Sequence, residues 1–244
     1  MLYTSSKTEN DSSAINSEAN KEMLEARVCY GHRSSRTNPR MKPFIIGTKN
    51  GVEIIDLDKT SEGLEKAKKV IDELGAKNKM LLFVGTNPML RDIVKEVAGK
   101  TKCLHIDRWV GGLLTNFKTI YGRLQYLREL QEKDKTGGLA KYTKKEQLMF
   151  QREIIKLSQM FSGFEDCHGT PDALIVVDVK MHEDAIREGK KLKLPIVGIV
   201  DTDSDPTVVD YPIPANDHIR SSVQYLLNQL VSGYNRVVDA EKQK

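Results

Sequence analysis

The chain has 244 residues, 39% hydrophobic and 30% charged, with a formal net charge of +4. That size suits one large domain or a domain with an insertion, and the mild positive excess falls short of a protein that only wraps nucleic acid. No apolar run approaches the roughly 20 residues of a bilayer-spanning helix. Cys29, Cys103 and Cys167 show no C-x-x-C spacing, which argues against a zinc ribbon or a secreted disulfide scaffold, so an intracellular protein is expected.

Residues 1–18 are rich in Ser, Thr, Asn and Glu and too poor in apolar groups to offset chain entropy, so a disordered tail is expected there. A short helix follows over Glu18 to Arg27. The stretch Arg33 to Lys49 holds Arg33, Arg36, Arg40, Lys42 and Lys49 and no acid, with Asn38 as a polar donor and two prolines that break regular structure. Phe44 to Ile46 and Val52 to Ile55 read as strands, joined by an Asn50-Gly51 hairpin turn.

From Asp58 onward helices and apolar strands alternate. Helices are predicted over 60–75, from Pro88 to Ala98, from His182 to Lys191 and from Asn216 to Tyr234. Strands are predicted at Met80 to Val84, Cys103 to Ile106, Leu174 to Val177 and Ile196 to Val200. Short apolar strands separated by helices indicate a parallel sheet covered on both faces.

Residues 113–162 interrupt this alternation. Leu113, Phe117, Ile120, Leu124 and Leu127 form one heptad stripe, and Phe150, Ile154, Leu157 and Phe161 a second. Gly137-Gly138 marks a turn, and Thr143 with Glu146 reads as a capping box. Two helices of roughly 20 residues would make an antiparallel arm about 30 Å long. Between Lys118 and Lys156 there are ten basic and five acidic residues, a net +5 that exceeds the charge of the whole chain. A basic arm of this kind can reach phosphates, with Lys118, Lys144, Lys145 and Arg152 as candidates and Asn116 at its root; an ordinary solvated helix pair is the plain alternative. Arg108-Trp109 places a guanidinium beside an aromatic ring. That ring can stack on a nucleotide or pack where the arm meets the body.

Enzyme signals are weak. Gly85-Thr86-Asn87 follows a strand but lacks G-x-G-x-x-G and the Walker lysine, leaving a nucleotide site or a plain βα turn. Asp201-Thr202-Asp203 ends an apolar strand, as in the Mg²⁺-dependent haloacid-dehalogenase phosphotransferases; in that family the strand leads the chain, whereas here it comes last with no room for the motifs that should follow, so a capped loop is the favoured reading. The five histidines show no close ligand spacing, so no metal centre and no catalytic residue is assigned. A protein-binding scaffold built on the helical arm is a third reading.

Three blocks carry a resemblance. They are Asn38-Pro-Arg-Met-Lys-Pro-Phe-Ile-Ile-Gly-Thr-Lys-Asn-Gly-Val-Glu-Ile-Ile-Asp-Leu-Asp-Lys-Thr60, Arg108-Trp-Val-Gly-Gly-Leu-Leu-Thr-Asn-Phe-Lys-Thr119, and Thr170-Pro-Asp-Ala-Leu-Ile-Val-Val-Asp178 continuing through Pro195 to Asp-Pro206 and Tyr211-Pro-Ile-Pro214. Over about residues 21–232 the chain resembles the ribosomal protein S2 family of the small ribosomal subunit, in its bacterial or organellar branch. The resemblance implies a flavodoxin-like three-layer α/β/α domain over 19–112 and 163–235 with an antiparallel coiled-coil hairpin inserted over 113–162; outside it, a flexible C-terminal tail is expected over 236–244. It also implies binding to small-subunit rRNA among neighbouring ribosomal proteins, small ribosomal subunit protein 1 included, with no cofactor and no catalysis. Cys29 stands where the family usually has histidine and Asp203 where it usually has Asn, and the stretch Asn216 to Arg220 is one residue short.

Overall fold

The computed structural model describes residues 19–234. The expected tails at 1–18 and 236–244 lie outside those residues. Helix α1 (19–25) leads into strand β1 (Tyr30–Arg33), two 3-10 turns (Ser34–Arg36 and Pro39–Phe44), β2 (Ile45–Lys49) and β3 (Val52–Ile55). These strands form an antiparallel sheet in the order β1-β3-β2. Asn50 (φ 53°) and Gly51 (φ 77°) both take positive φ, the requirement of the tight hairpin turn that their identities predict.

The main sheet contains β4 (Leu81–Val84), β5 (Leu104–Ile106), β6 (Ala173–Val177), β7 (Ile196–Val200) and β8 (Tyr211–Pro214). Its order is β5-β4-β6-β7-β8 and every neighbouring pair is parallel. In chain order that is 2-1-3-4-5, the flavodoxin-like arrangement. The helices are α2 (Leu57–Ala76), α3 (Arg91–Thr101), α4 (Phe117–Lys135), α5 (Lys144–Met160), α6 (Glu183–Lys191) and α7 (Arg220–Leu230).

Period-two alternation divides the strands between two core layers. Leu81, Phe83, Ile175, Val177, Ile199 and Ile213 pack with α2, α3 and α7, while Leu82, Val84, Leu104, Leu174, Val176 and Val200 pack on the opposite face with α4 and α6. On α7, Val223, Leu226, Leu227 and Leu230 are buried at i, i+3, i+4, i+7 spacing, each contributing about 1.5–3 kcal/mol of apolar burial.

Two helix starts differ from expectation. The helix predicted to open at Pro88 begins at Arg91, because the Asn87 side chain and carbonyl take the amides of Met89, Leu90 and Arg91 in a separate turn. The last helix begins at Arg220, since Asn216 Oδ1 accepts from His218 N (3.1 Å) and Ile219 N (2.7 Å) and holds those residues in a turn.

The inserted pair forms as two helices, and Thr143 and Glu146 make the predicted capping box. Ile120, Leu124 and Leu127 of α4 are buried in the core layer beneath the main sheet, so this helix is rooted in the body. Among the residues of α5 only Leu157 is buried. Tyr126 bonds Glu153 (3.3 Å) and Gln131 bonds Ser158 (3.1 Å).

Candidate nucleic-acid interface

The basic segment 33–49 is fastened to the carboxyl edge of the main sheet. Thr202, fully buried after β7, accepts His32 N at Oγ1 (2.8 Å) and Asn38 N at its carbonyl (2.8 Å). Asn216, after β8, donates its side-chain amide to the Tyr30 carbonyl and its backbone N–H to the Val28 carbonyl (2.9 Å). Gly31 makes this approach feasible: a Cβ there would lie 2.4 Å from Thr202 Cγ2. Asn38 caps the following turn by accepting Arg40 N (3.0 Å), and Met41 anchors that turn with no exposure.

This attachment leaves Arg33, Arg36, Lys42 and Lys49 exposed and Asn38 half-buried. His32, Arg33, Ser35 and Arg36 line one half-open hollow. Arg40 differs from its neighbours because its guanidinium pairs with Asp205 and bonds Thr207 Oγ1 (3.0 Å). Nearby, Lys180 pairs with Asp203 (2.8 Å), and His32 Nδ1 lies 3.1 Å from Asp201 Oδ2. The bond to Asp201 holds the His32 imidazolium above its ordinary range against the opposing effect of burial.

The junction loop at 108–116 is organised by a residue that sequence reading missed. Glu188 of α6, 8% exposed, accepts from Trp109 Nε1 (3.3 Å), Gly112 N (2.8 Å), Leu114 N (3.1 Å), Thr115 N (3.1 Å) and Thr115 Oγ1 (3.1 Å). Burial alone would raise its carboxyl; the amide bonds outweigh burial and hold it below the ordinary range. Trp109 is therefore half-buried against the core, while Arg108 and Asn116 stay exposed. Met41, Phe44, Ile45 and Trp109 all pack on the same core layer, so the basic segment and the junction loop share one foundation.

On the helical pair, Lys118, Lys144, Lys145 and Arg152 are exposed. No ion pair joins any of these four to the described residues. Leu148, Met149 and Ile155 of α5 are also exposed, at 48%, 61% and 57%.

The enzyme alternatives find little support in this geometry. A doubly wound sheet takes nucleotides where its strand order reverses, here between the carboxyl ends of β4 and β6. His182 fills that place: its Nδ1 bonds the Asp178 carbonyl (2.7 Å), and its Nε2 accepts Thr86 N (3.2 Å). Burial lowers the His182 pKa, consistent with a neutral ring wedged between the two strands. Asp201 is fully buried and already accepts from Thr202 N (2.6 Å) and Thr202 Oγ1 (3.2 Å), a poor state for a phosphoryl nucleophile. Burial raises the Cys29 thiol and pushes Cys167 up to about 11, so neither is a ready thiolate.

The sequence is similar to those of known proteins. Residues 23–236 match the family described as Ribosomal protein S2. The chain is 44% identical over 214 residues to the small ribosomal subunit protein uS2 of Mesoplasma florum, covering 87% of this chain and 80% of that protein. It is 42% identical over 211 residues to the protein of the same name from Coprothermobacter proteolyticus, covering 86% and 79%. With the family model matched over residues 23–236 and two relatives 44% and 42% identical over most of its length, the chain belongs to the ribosomal protein S2 family.

Proposed function

We propose that the protein is a structural constituent of the small ribosomal subunit that holds rRNA by fixed cations and performs no catalysis. Membership of the S2 family over residues 23–236 carries this reading. The small subunit of bacteria is cytoplasmic, which is where the protein then works; among the described residues no helix is long and apolar enough to cross a membrane.

The rRNA contacts belong to the same proposal. Arg33, Arg36, Lys42 and Lys49, with Asn38 beside them, offer donors to phosphates at set positions, and Arg40 joins them if an rRNA phosphate displaces Asp205. Arg108 and Asn116 extend the surface from the braced loop, where Trp109 supplies a rim more than a free stacking face. Lys118, Lys144, Lys145 and Arg152 form the second contact, on an inserted helical arm over 113–162 between body segments 19–112 and 163–235. A full antiparallel coiled coil would require the two helices to align along their length, and their apolar stripes support it. Exposed Leu148, Met149 and Ile155 suit contact with a neighbouring small-subunit protein, small ribosomal subunit protein 1 among the candidates.

Sucrose-gradient sedimentation of tagged protein tests the reading. Co-migration with small subunits that dissociates as salt rises is expected. Protein that stays at the top of the gradient in cells and in reconstitution overturns it.

A further inference from the structure

The chain leaves the main sheet for the inserted helices after β5 and returns to it before β6. Both crossings are held by directional bonds. On the outgoing side Glu188 takes its five donors from residues 109–115, and α4 opens two residues later, at Phe117. On the returning side the Gly163 carbonyl accepts His105 N (3.1 Å), and the His105 ring lies so close that a Cβ on Gly163 would collide with it. Ser162 donates its hydroxyl to Asp107 Oδ2 (2.7 Å). Asp107 directly precedes the outgoing loop, so one carboxylate stands where the two crossings meet. Arg128 of α4 closes the frame. Half-buried, it donates Nε to the Glu165 carbonyl (3.2 Å) and Nη2 to the Cys167 carbonyl (3.2 Å).

Ile120, Leu124 and Leu127 keep α4 on the core layer, but apolar contact is non-directional and tolerates rotation and sliding. Hydrogen bonds fix direction as well as distance. We infer that Glu188 is a positioning residue for rRNA binding: acting through residues 109–115, it aims the helical pair relative to the basic segment 33–49. Arg128 and Asp107 hold the returning side to the same direction. The cations of the two regions then meet rRNA at one separation. Two linked contacts reinforce each other only where their separation matches the two sites, and a pair that swings loses much of that gain. The clamp acts at the root, while the long exposed side chains farther out still adjust. Arg128, spent on two carbonyls, is not among the phosphate donors. The functional half of this inference rests on the rRNA reading; the geometric half does not.

The test uses the full-length protein with nitroxide labels at two exposed positions, Lys69→Cys on α2 and Asp134→Cys near the far end of α4. Cys103, the native cysteine that is not buried, is changed to Ser. Pulsed electron-spin distance measurement should give one narrow distribution in this parent. Glu188→Gln replaces one acceptor oxygen with a donor and should broaden it, with amide protection in β4 and β6 unchanged. Arg128→Gln, on the other crossing, should broaden it too and serves if Glu188→Gln folds poorly. Affinity for small-subunit rRNA reads the function. Changing Lys144, Lys145 and Arg152 together to Gln should weaken binding less in the Glu188→Gln background than in the parent, by at least about twofold. A distribution as narrow in both variants as in the parent overturns the inference. So does an effect of the triple change that is the same in both backgrounds, which would leave Glu188 as a purely structural group. A parent with a narrow distribution and no affinity for rRNA would overturn the rRNA reading while bearing out the clamp.

Discussion

From Val28 to Asn38 the backbone is bonded to the edge of the main sheet through Thr202 and Asn216, and Met41 just beyond is fully buried. Across α5, by contrast, only Leu157 is buried, and Leu148, Met149 and Ile155 face outward beside Lys144, Lys145 and Arg152. Both regions are basic. The first presents its cations at spacings set by the core, so little order is lost when a rigid ligand meets them. The second keeps its cations on a helix that buries one side chain, Leu157, where long exposed side chains can adjust to what they touch. Preorganised charge favours specific register, and adjustable charge favours reach.

Glu188 gives the largest lever on the fixed side. Glu188→Ala leaves the amides of Gly112, Leu114 and Thr115 without their acceptor and should cost about 2–4 kcal/mol in chemical denaturation; a loss below 0.5 kcal/mol, as an order-of-magnitude limit, would mean that water replaces the carboxylate. Its pH dependence has a definite sign. The folded pKa lies below the ordinary value of 4.5, so the stabilisation is present above 4.5 and declines as pH falls through the depressed value. Glu188→Gln should lack that part of the acid dependence.

Gly31→Ala attacks the same side from below. Its new methyl meets the buried side chain of Thr202 and should cost about 1–3 kcal/mol while loosening the basic segment. Hydrogen exchange at the amides of His32 and Asn38 should rise; unchanged protection would show that the segment does not depend on this approach.

Neutralising charges compares the two regions directly. Arg33, Arg36 and Lys42 changed together to Gln should lower rRNA affinity roughly tenfold, about 1.4 kcal/mol, and flatten the salt dependence by roughly 0.7–0.9 in slope for each phosphate that is no longer neutralised. The same change at Lys144, Lys145 and Arg152 should flatten the slope with a smaller drop in affinity. Equal drops from the two triples would erase the distinction between fixed and adjustable charge. Arg40→Gln should have the smallest effect, below about 1 kcal/mol in stability, because it removes an exposed ion pair with Asp205 and an exposed bond to Thr207.

Much of this architecture is legible in the sequence where one physical signal dominates. The apolar runs of β4, β6 and β7, the Asn50-Gly51 turn and the Thr143–Glu146 box appear where periodicity, positive φ and capping chemistry place them. Strands β1 and β8 are not legible in this way. Tyr30-Gly-His-Arg33 shows no apolar alternation, and Tyr211-Pro-Ile-Pro214 carries two prolines that weaken a strand reading yet are tolerated on the sheet edge. Glu188 is hidden because Arg187 and Lys190 surround it with the look of a solvated helix face. Nothing in sequence spacing links it to amides at 112–115, although a Gly-Gly loop with so many unpaired N–H groups implies an acceptor. Candidate cations are readable as types, and the structure adds their constraints: Arg40 engaged, Trp109 half-buried, Arg33 and Arg36 gathered about one hollow.

Thr202 also imposes a timetable. The segment from Val28 to Asn38 leaves the synthesising ribosome early, but the His32–Thr202 bond spans 170 residues and the Tyr30–Asn216 bond 186. Contacts of such long sequence separation form late. A nascent chain stalled before residue 202 would carry every cation of the basic segment and have no means of holding them in place. The surface that would meet rRNA is thus completed only once most of the protein has been made, which protects an unfinished chain from engaging its site.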